Sequence, residues 1–187
     1  ATAMPAFAAG SNDTDSLSPK NTPNTPNTAS SAPDDESSSE EAAPPENSHP
    51  PAAGEISARD PQSVMDALKT LGYPGKLEKM DSGRTSIAVQ VSGLKTYIDF
   101  YDCADDLTDC YTLLFNVSLD LKKGTTLDKA NEWNSKQITG RVWLDDSKDP
   151  TLDFSLSTFN GVPADAFDQN VKLWDKKIGD LKDFFDF

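Results

Sequence analysis

From Asp60 onward the apolar residues recur at two distinct periods, and each change of period marks an element boundary. Val64, Met65, Leu68 and Leu71 fall three and four residues apart, which places them on one helical face. Asp60 supplies an N-cap and Pro61 suits the first helical position, while Gly72 followed by Tyr73-Pro74 predicts the stop. The period then drops to two. A short strand over 76–80 is joined by the turn Asp81-Ser82-Gly83 to a segment in which Ile87, Val89 and Val91 alternate with polar residues. Ser92-Gly93 has the composition of a two-residue hairpin turn, after which Ile98 and Phe100 resume the alternation over 95–101. The clearest strand covers 111–120, where Leu113, Phe115, Val117 and Leu119 alternate with Thr112, Asn116, Ser118 and Asp120.

Gly124 ends that run. Thr125 with Asp128 three residues on predicts a capping box opening a short helix through Ala130 and Trp133 to about Lys136. Two further strands, 139–144 and 151–158, flank the polar turn 145–150, with Leu152, Phe154 and Leu156 on the buried side of the second. From Pro163 onward, Phe167, Val171, Trp174, Ile178, Leu181 and Phe185 form one apolar stripe, against a face of Asp168, Lys172, Asp175, Lys176 and Asp183. A helix of that kind covers a sheet. The predicted order is α-β-β-β-β-α-β-β-α, an α+β domain whose antiparallel sheet of five to six strands carries the first and last helices on one face. A domain of about 130 residues buries roughly two-thirds of its unfolded surface, enough for a core without a metal or cofactor.

Composition divides the 187 residues unevenly. Residues 1–55 hold nine of the thirteen prolines, nine serines and one aromatic, Phe7, and they account for −8 of the formal charge of −14. Low hydrophobicity with high charge cannot offset the entropy of ordering, so 1–56 reads as a disordered acidic tail and 57–187 as the folded domain. The tract NTPNTPNT at 21–28 is spacer-like, and the lone His49 lies in the tail, where a general base has no fixed position. The start, ATAMPAFAAG, contains Ala6-Phe7-Ala8 in the small-x-small form of a signal-peptidase site, so 1–9 reads either as a trimmed export leader or as an Ala-rich tail start. Excess acid argues against nucleic acid and against an anionic membrane surface as partners. No run of eighteen apolar residues is present to span a bilayer.

Cys103 and Cys110 are the chain's two cysteines, seven positions apart between two strands. A disulfide stapling this connection is the expectation, which places the protein in an oxidising compartment, periplasmic or secreted. The spacing differs from the C-x-x-C of redox pairs; a labile switch or two free thiols are the alternatives. Asp102, Asp105, Asp106 and Asp109 surround the pair, and Asp145, Asp146 and Asp149 crowd the later turn. Carboxylates suit calcium, but neither spacing is that of an EF-hand, so both read first as solvated acidic loops. Asn116-Val117-Ser118 matches a glycosylation sequon that falls inside a strand. The domain has no Gly-x-Ser-x-Gly elbow, no phosphate-cradling glycine loop and no histidine to activate a nucleophile. No catalytic residue, metal ligand or cofactor is therefore assigned.

Several segments together carry a family resemblance: Asp60-Pro61 with the helix to Leu71-Gly72-Tyr73, the run Tyr97 to Cys103 with Cys110, Asn131-Glu132-Trp133-Asn134, Gly140-Arg141-Val142, and Gly161-Val162 before an aromatic helix. Over about 57–187 the chain resembles the YbjN domain family, provisionally described as bacterial sensory transduction regulators. The resemblance implies a fold similar to class I type III secretion chaperones and a non-enzymatic regulatory or chaperone-like role. It supplies no catalytic residues.

Binding is what remains. Alternation puts Tyr97, Asp99 and Tyr101 on the strand face opposite Ile98 and Phe100, and Arg141 with Trp143 opposite Val142 and Leu144. With helices on the first face, Tyr97, Tyr101 and Trp143 form a surface for a partner polypeptide or a second copy of the chain. The alternative packs these aromatics against the middle helix through Trp133. A second function class, a small envelope calcium-binding protein or enzyme using the acidic loops, stays open beside the protein-binding module.

Overall fold

The computed structural model describes residues 52–187. Residues 1–51 of the tail reading, with the 1–9 leader and His49, lie outside the described residues, which begin at Ala52 and so include the last five positions assigned to the tail. The first helix, α1 (Pro61–Thr70), is capped as expected: the Gln62 backbone N–H donates to the Asp60 side chain at 3.0 Å. Immediately before it, Ile56 is buried and exchanges two 2.9 Å backbone hydrogen bonds with Val162. The chain is thereby tied to the start of the last helix before α1 begins.

Four strands follow as an antiparallel meander, β1 (Gly75–Lys79), β2 (Thr85–Val91), β3 (Leu94–Tyr101) and β4 (Thr112–Ser118). At the β2–β3 turn both Ser92 and Gly93 have positive φ, 49° and 80°. This is the primed-turn conformation whose twist matches the flanking strands. Gly124 then leads into α2 (Leu127–Lys136). A β-carbon on Gly124 would stand 2.8 Å from Lys148 Cβ and 2.9 Å from the Ser147 carbonyl oxygen, so the loop fits closely against the later turn only with glycine there. The cap differs from the sequence expectation by one residue. Thr126, not Thr125, accepts from the Lys129 N–H at 3.2 Å, and Thr125 instead donates its backbone N–H to the Lys148 carbonyl.

β5 (Arg141–Leu144) and β6 (Pro150–Ser157) form a hairpin, but the second of them, not the first, pairs with β4. The sheet order is β1-β2-β3-β4-β6-β5, antiparallel throughout. The first five residues of β6, Pro150 to Phe154, are all buried and this strand takes the inner position, while the four-residue β5 is left at the edge. Its outer edge is closed by a side chain. The Asn134 amide of α2 donates to the Val142 carbonyl at 3.0 Å and accepts the Val142 N–H at 2.8 Å, as the peptide of a seventh strand would.

α3 (Ala164–Phe185) lies across the apolar face with its whole predicted stripe buried. Trp174 packs its ring against Phe115 and Phe154, with centroids 5.8 and 6.4 Å away, which joins helix to β4 and β6. Trp133 meets Phe184 and Phe185 at 5.4 and 6.4 Å, so α2 docks onto the end of α3 on this same side. Lys177 is buried beside the stripe as well, its ammonium donating to the Gln137 side chain. All apolar burial is thus on one side of the sheet, and the other side faces out.

Candidate functional site

On the outward face, cross-strand register lines up side chains in rows. One row runs Lys76, Ala88, Tyr97, Asn116, Asp153, Arg141 from edge to edge; the next runs Glu78, Ser86, Asp99, Leu114, Ser155. The face is polar at its margins and aromatic in patches. Two of its carboxylates are buried, with Asp99 5% and Asp153 7% exposed. Burying ionisable groups on a face open to water is costly, and the two acids meet that cost differently.

Asp153 is paired through one of its oxygens. Its Oδ2 accepts the Trp143 indole N–H at 3.0 Å and two Arg141 guanidinium N–H groups at 3.1 and 3.3 Å. Asp99 has fewer partners: its Oδ2 accepts one N–H from the Asn116 amide at 2.6 Å, and its buried Oδ1 has no partner. Ser86, its cross-strand neighbour on β2, also leaves a buried hydroxyl without a partner. Between β3 and β5 these residues line a shallow concavity of about 710 Å³, walled by Asp99, Tyr101, Asn116, Arg141, Trp143 and Asp153. A second depression of about 660 Å³ shares Leu114, Arg141 and Asp153 with it and extends to Ile138, whose side chain is fully exposed.

The three aromatics singled out from the sequence all lie on this face. Trp143 is 46% exposed, its ring orientation set by the bond to Asp153. Tyr101, 36% exposed, has the Arg84 guanidinium 3.9 Å from its ring centre. Tyr97 is half-buried under the Lys95 ammonium at 4.8 Å. The alternative, in which they pack on the middle helix through Trp133, does not hold, because Trp133 is on the opposite side of the sheet with Phe184 and Phe185. Two residues at the heart of the concavity escaped the sequence reading as site members. Asn116 was legible only as a sequon inside a strand, and Asp153 as a polar alternate of β6; their shared row required the β4–β6 pairing.

Several carboxylates of the acidic loops are occupied with protein partners. Asp106 accepts the Thr108 hydroxyl at 2.6 Å and its amide at 3.0 Å, and these bonds hold the Asp106 carboxyl below its ordinary ionisation range. Asp145 accepts two backbone N–H groups within its turn, and Asp149 accepts the Leu121 N–H at 2.8 Å. No group of three potential metal ligands converges among the described residues. Asp109 pairs with Arg59 at 3.0 Å, fastening the cysteine loop to the segment before α1. The Cys103 and Cys110 sulfurs lie at bonding distance, 2.07 Å, directly beyond Tyr101 at the end of β3. No described helix is long and apolar enough to cross a membrane.

Compared with known proteins, residues 60–187 match the profile of one family, "YbjN: Putative bacterial sensory transduction regulator". No curated protein and no solved structure matches the chain.

Proposed function

The chain belongs to the YbjN family, and from that premise we propose that it is an exported, non-enzymatic regulatory or chaperone-like module that binds a partner polypeptide on its open sheet face. One observation carries the reading: Trp143 and Tyr101 are the most exposed aromatics of the described sheet and helices, and both stand at the sides of a concavity on the face that no helix covers. Aromatic anchors around a desolvated polar centre are the usual composition of an interface core. The paired cysteines support an oxidising compartment. A partner polypeptide fits better than a second copy, since two chains of formal charge −14 repel on approach.

The experiment is capture of a defined partner from native envelope extract by the intact protein, compared with a Tyr101→Ala/Trp143→Ala variant. Loss of the partner with the melting temperature little changed supports the reading. Retained capture, or loss only because the variant no longer folds, counts against it. Ultracentrifugation at rising concentration tests the homodimer, which would appear as a mass of twice 20.2 kDa.

A further inference from the structure

Asp99 is the least compensated charged group of the described domain. It is only 5% exposed, its only hydrogen bond is from a neutral amide, and no cationic side chain of the described residues lies within ion-pair distance. A carboxylate so placed is ordinarily paired, because desolvation without a counter-charge costs several kcal/mol. The cations around this face are engaged elsewhere. Arg84 lies on Tyr101 and donates to the Phe100 carbonyl at 3.0 Å, Lys95 lies on Tyr97 with Glu78 4.0 Å away, and Arg141 is held by Asp153. Asp99 nevertheless forms part of the wall of the concavity, with a second free carboxylate, Asp102, at its rim and the Tyr101 and Trp143 rings at its sides.

A buried carboxylate in the wall, its unsatisfied oxygen and aromatic sides together describe a receptor for one kind of group. We propose that the concavity seats an arginine or lysine side chain of the partner polypeptide, its cation on the Asp99 carboxylate and its aliphatic stem along Trp143 and Tyr101. The assignment rests on the reading that this face receives a polypeptide, and it adds what that polypeptide must present. Aromatic rings attract cations over their faces, and a carboxylate shielded from water strengthens the pairing. The arrangement also explains why an acid is kept there at all: in the free protein it lowers stability, and in the complex it supplies selectivity.

The test uses the full, isotopically labelled chain and three capped pentapeptides, Gly-Ser-Arg-Ser-Gly, Gly-Ser-Lys-Ser-Gly and Gly-Ser-Gln-Ser-Gly, followed by the Trp143 indole N–H and the Asp99 and Asn116 amides in NMR. Saturable shifts are expected with arginine, or its lysine analogue, and not with glutamine. Asp99→Asn should weaken the arginine response about tenfold or more and raise the melting temperature of the free protein. Equal response to glutamine, or no saturable response to either cationic peptide, overturns the proposal. Shifts driven by calcium alone overturn it in favour of a metal site. Should Asp99→Asn not fold, the wild-type comparison of arginine with glutamine decides by itself. A partner captured through Trp143 and Tyr101 but indifferent to Asp99→Asn would defeat this inference and leave the functional reading standing.

Discussion

Asn134 shows how one side chain can replace a strand. By returning both a donor and an acceptor to Val142, it satisfies backbone groups that β5 would otherwise present to any passing chain. Asn134→Ala should therefore destabilise the fold by about 1–3 kcal/mol, and amide exchange at Val142 should quicken more than at Leu152 in the next strand. Unchanged exchange at Val142 would show the edge to be protected by other means. Tyr73 offers a pH test at the same scale. Its hydroxyl donates to Asp175 at 3.2 Å, and burial first, then the Asp175 charge, pushes its pKa above the ordinary value of 10.0. Because the folded state favours the neutral phenol, this contribution is complete below about pH 10 and fades as pH climbs through the raised value. In an alkaline melting series, Tyr73→Phe should flatten that decline; an identical decline in wild type and variant would remove Tyr73 as its source.

The elements were legible because each rests on a local pattern. Alternating apolar positions mark one strand face regardless of what pairs with it, and the six-residue stripe of α3 needed only helical spacing. What stayed hidden depends on non-local geometry. Nothing between Thr139 and Thr158 states that the second strand of the hairpin will sit beside β4, so the meeting of Asn116 with Asp153 could not be anticipated. Two adjacent threonines left the α2 cap ambiguous in the same way, since a hydroxyl at either position could reach back. Thr126→Ala should cost about 1 kcal/mol in urea unfolding while Thr125→Ala costs little, and the reverse ranking would refute the assigned cap. Lys177 was unreadable for a further reason: a lysine gives no hydropathy signal of the Gln137 carbonyl that receives its ammonium. The two sheet faces also differ in what they tolerate. Trp174→Ala should destabilise by about 3–5 kcal/mol by opening a cavity between α3 and the sheet, whereas Trp143→Ala should stay below about 1.5 kcal/mol. Equal costs on both faces would contradict the one-sided core.

At the scale of the whole molecule, a Cys103–Cys110 bond is expected to add stability to a domain whose buried core extends well beyond that loop. Cys103 and Cys110 are separated by 7 in sequence, and closing so short a loop yields at most about 2.5 kcal/mol from chain entropy. Mild reduction should lower the melting point modestly and leave near-ultraviolet circular dichroism native-like; complete unfolding on reduction would show that the staple, not the core, holds the domain. Asp109 with Arg59 gives that loop a second fastening, so its release is expected to stay local. The sheet order carries a larger consequence. Because β6 lies between β4 and β5, the middle of the sheet is assembled from residues 33 or more positions apart, as in the pairing of Ser118 with Thr151 at one end and Thr112 with Ser157 at the other. A nascent polypeptide halted on the ribosome anywhere before residue 150 would present β4 as a bare hydrophobic margin. Such a chain depends on whatever shields it until β6 has emerged, since that strand is the piece that closes the centre.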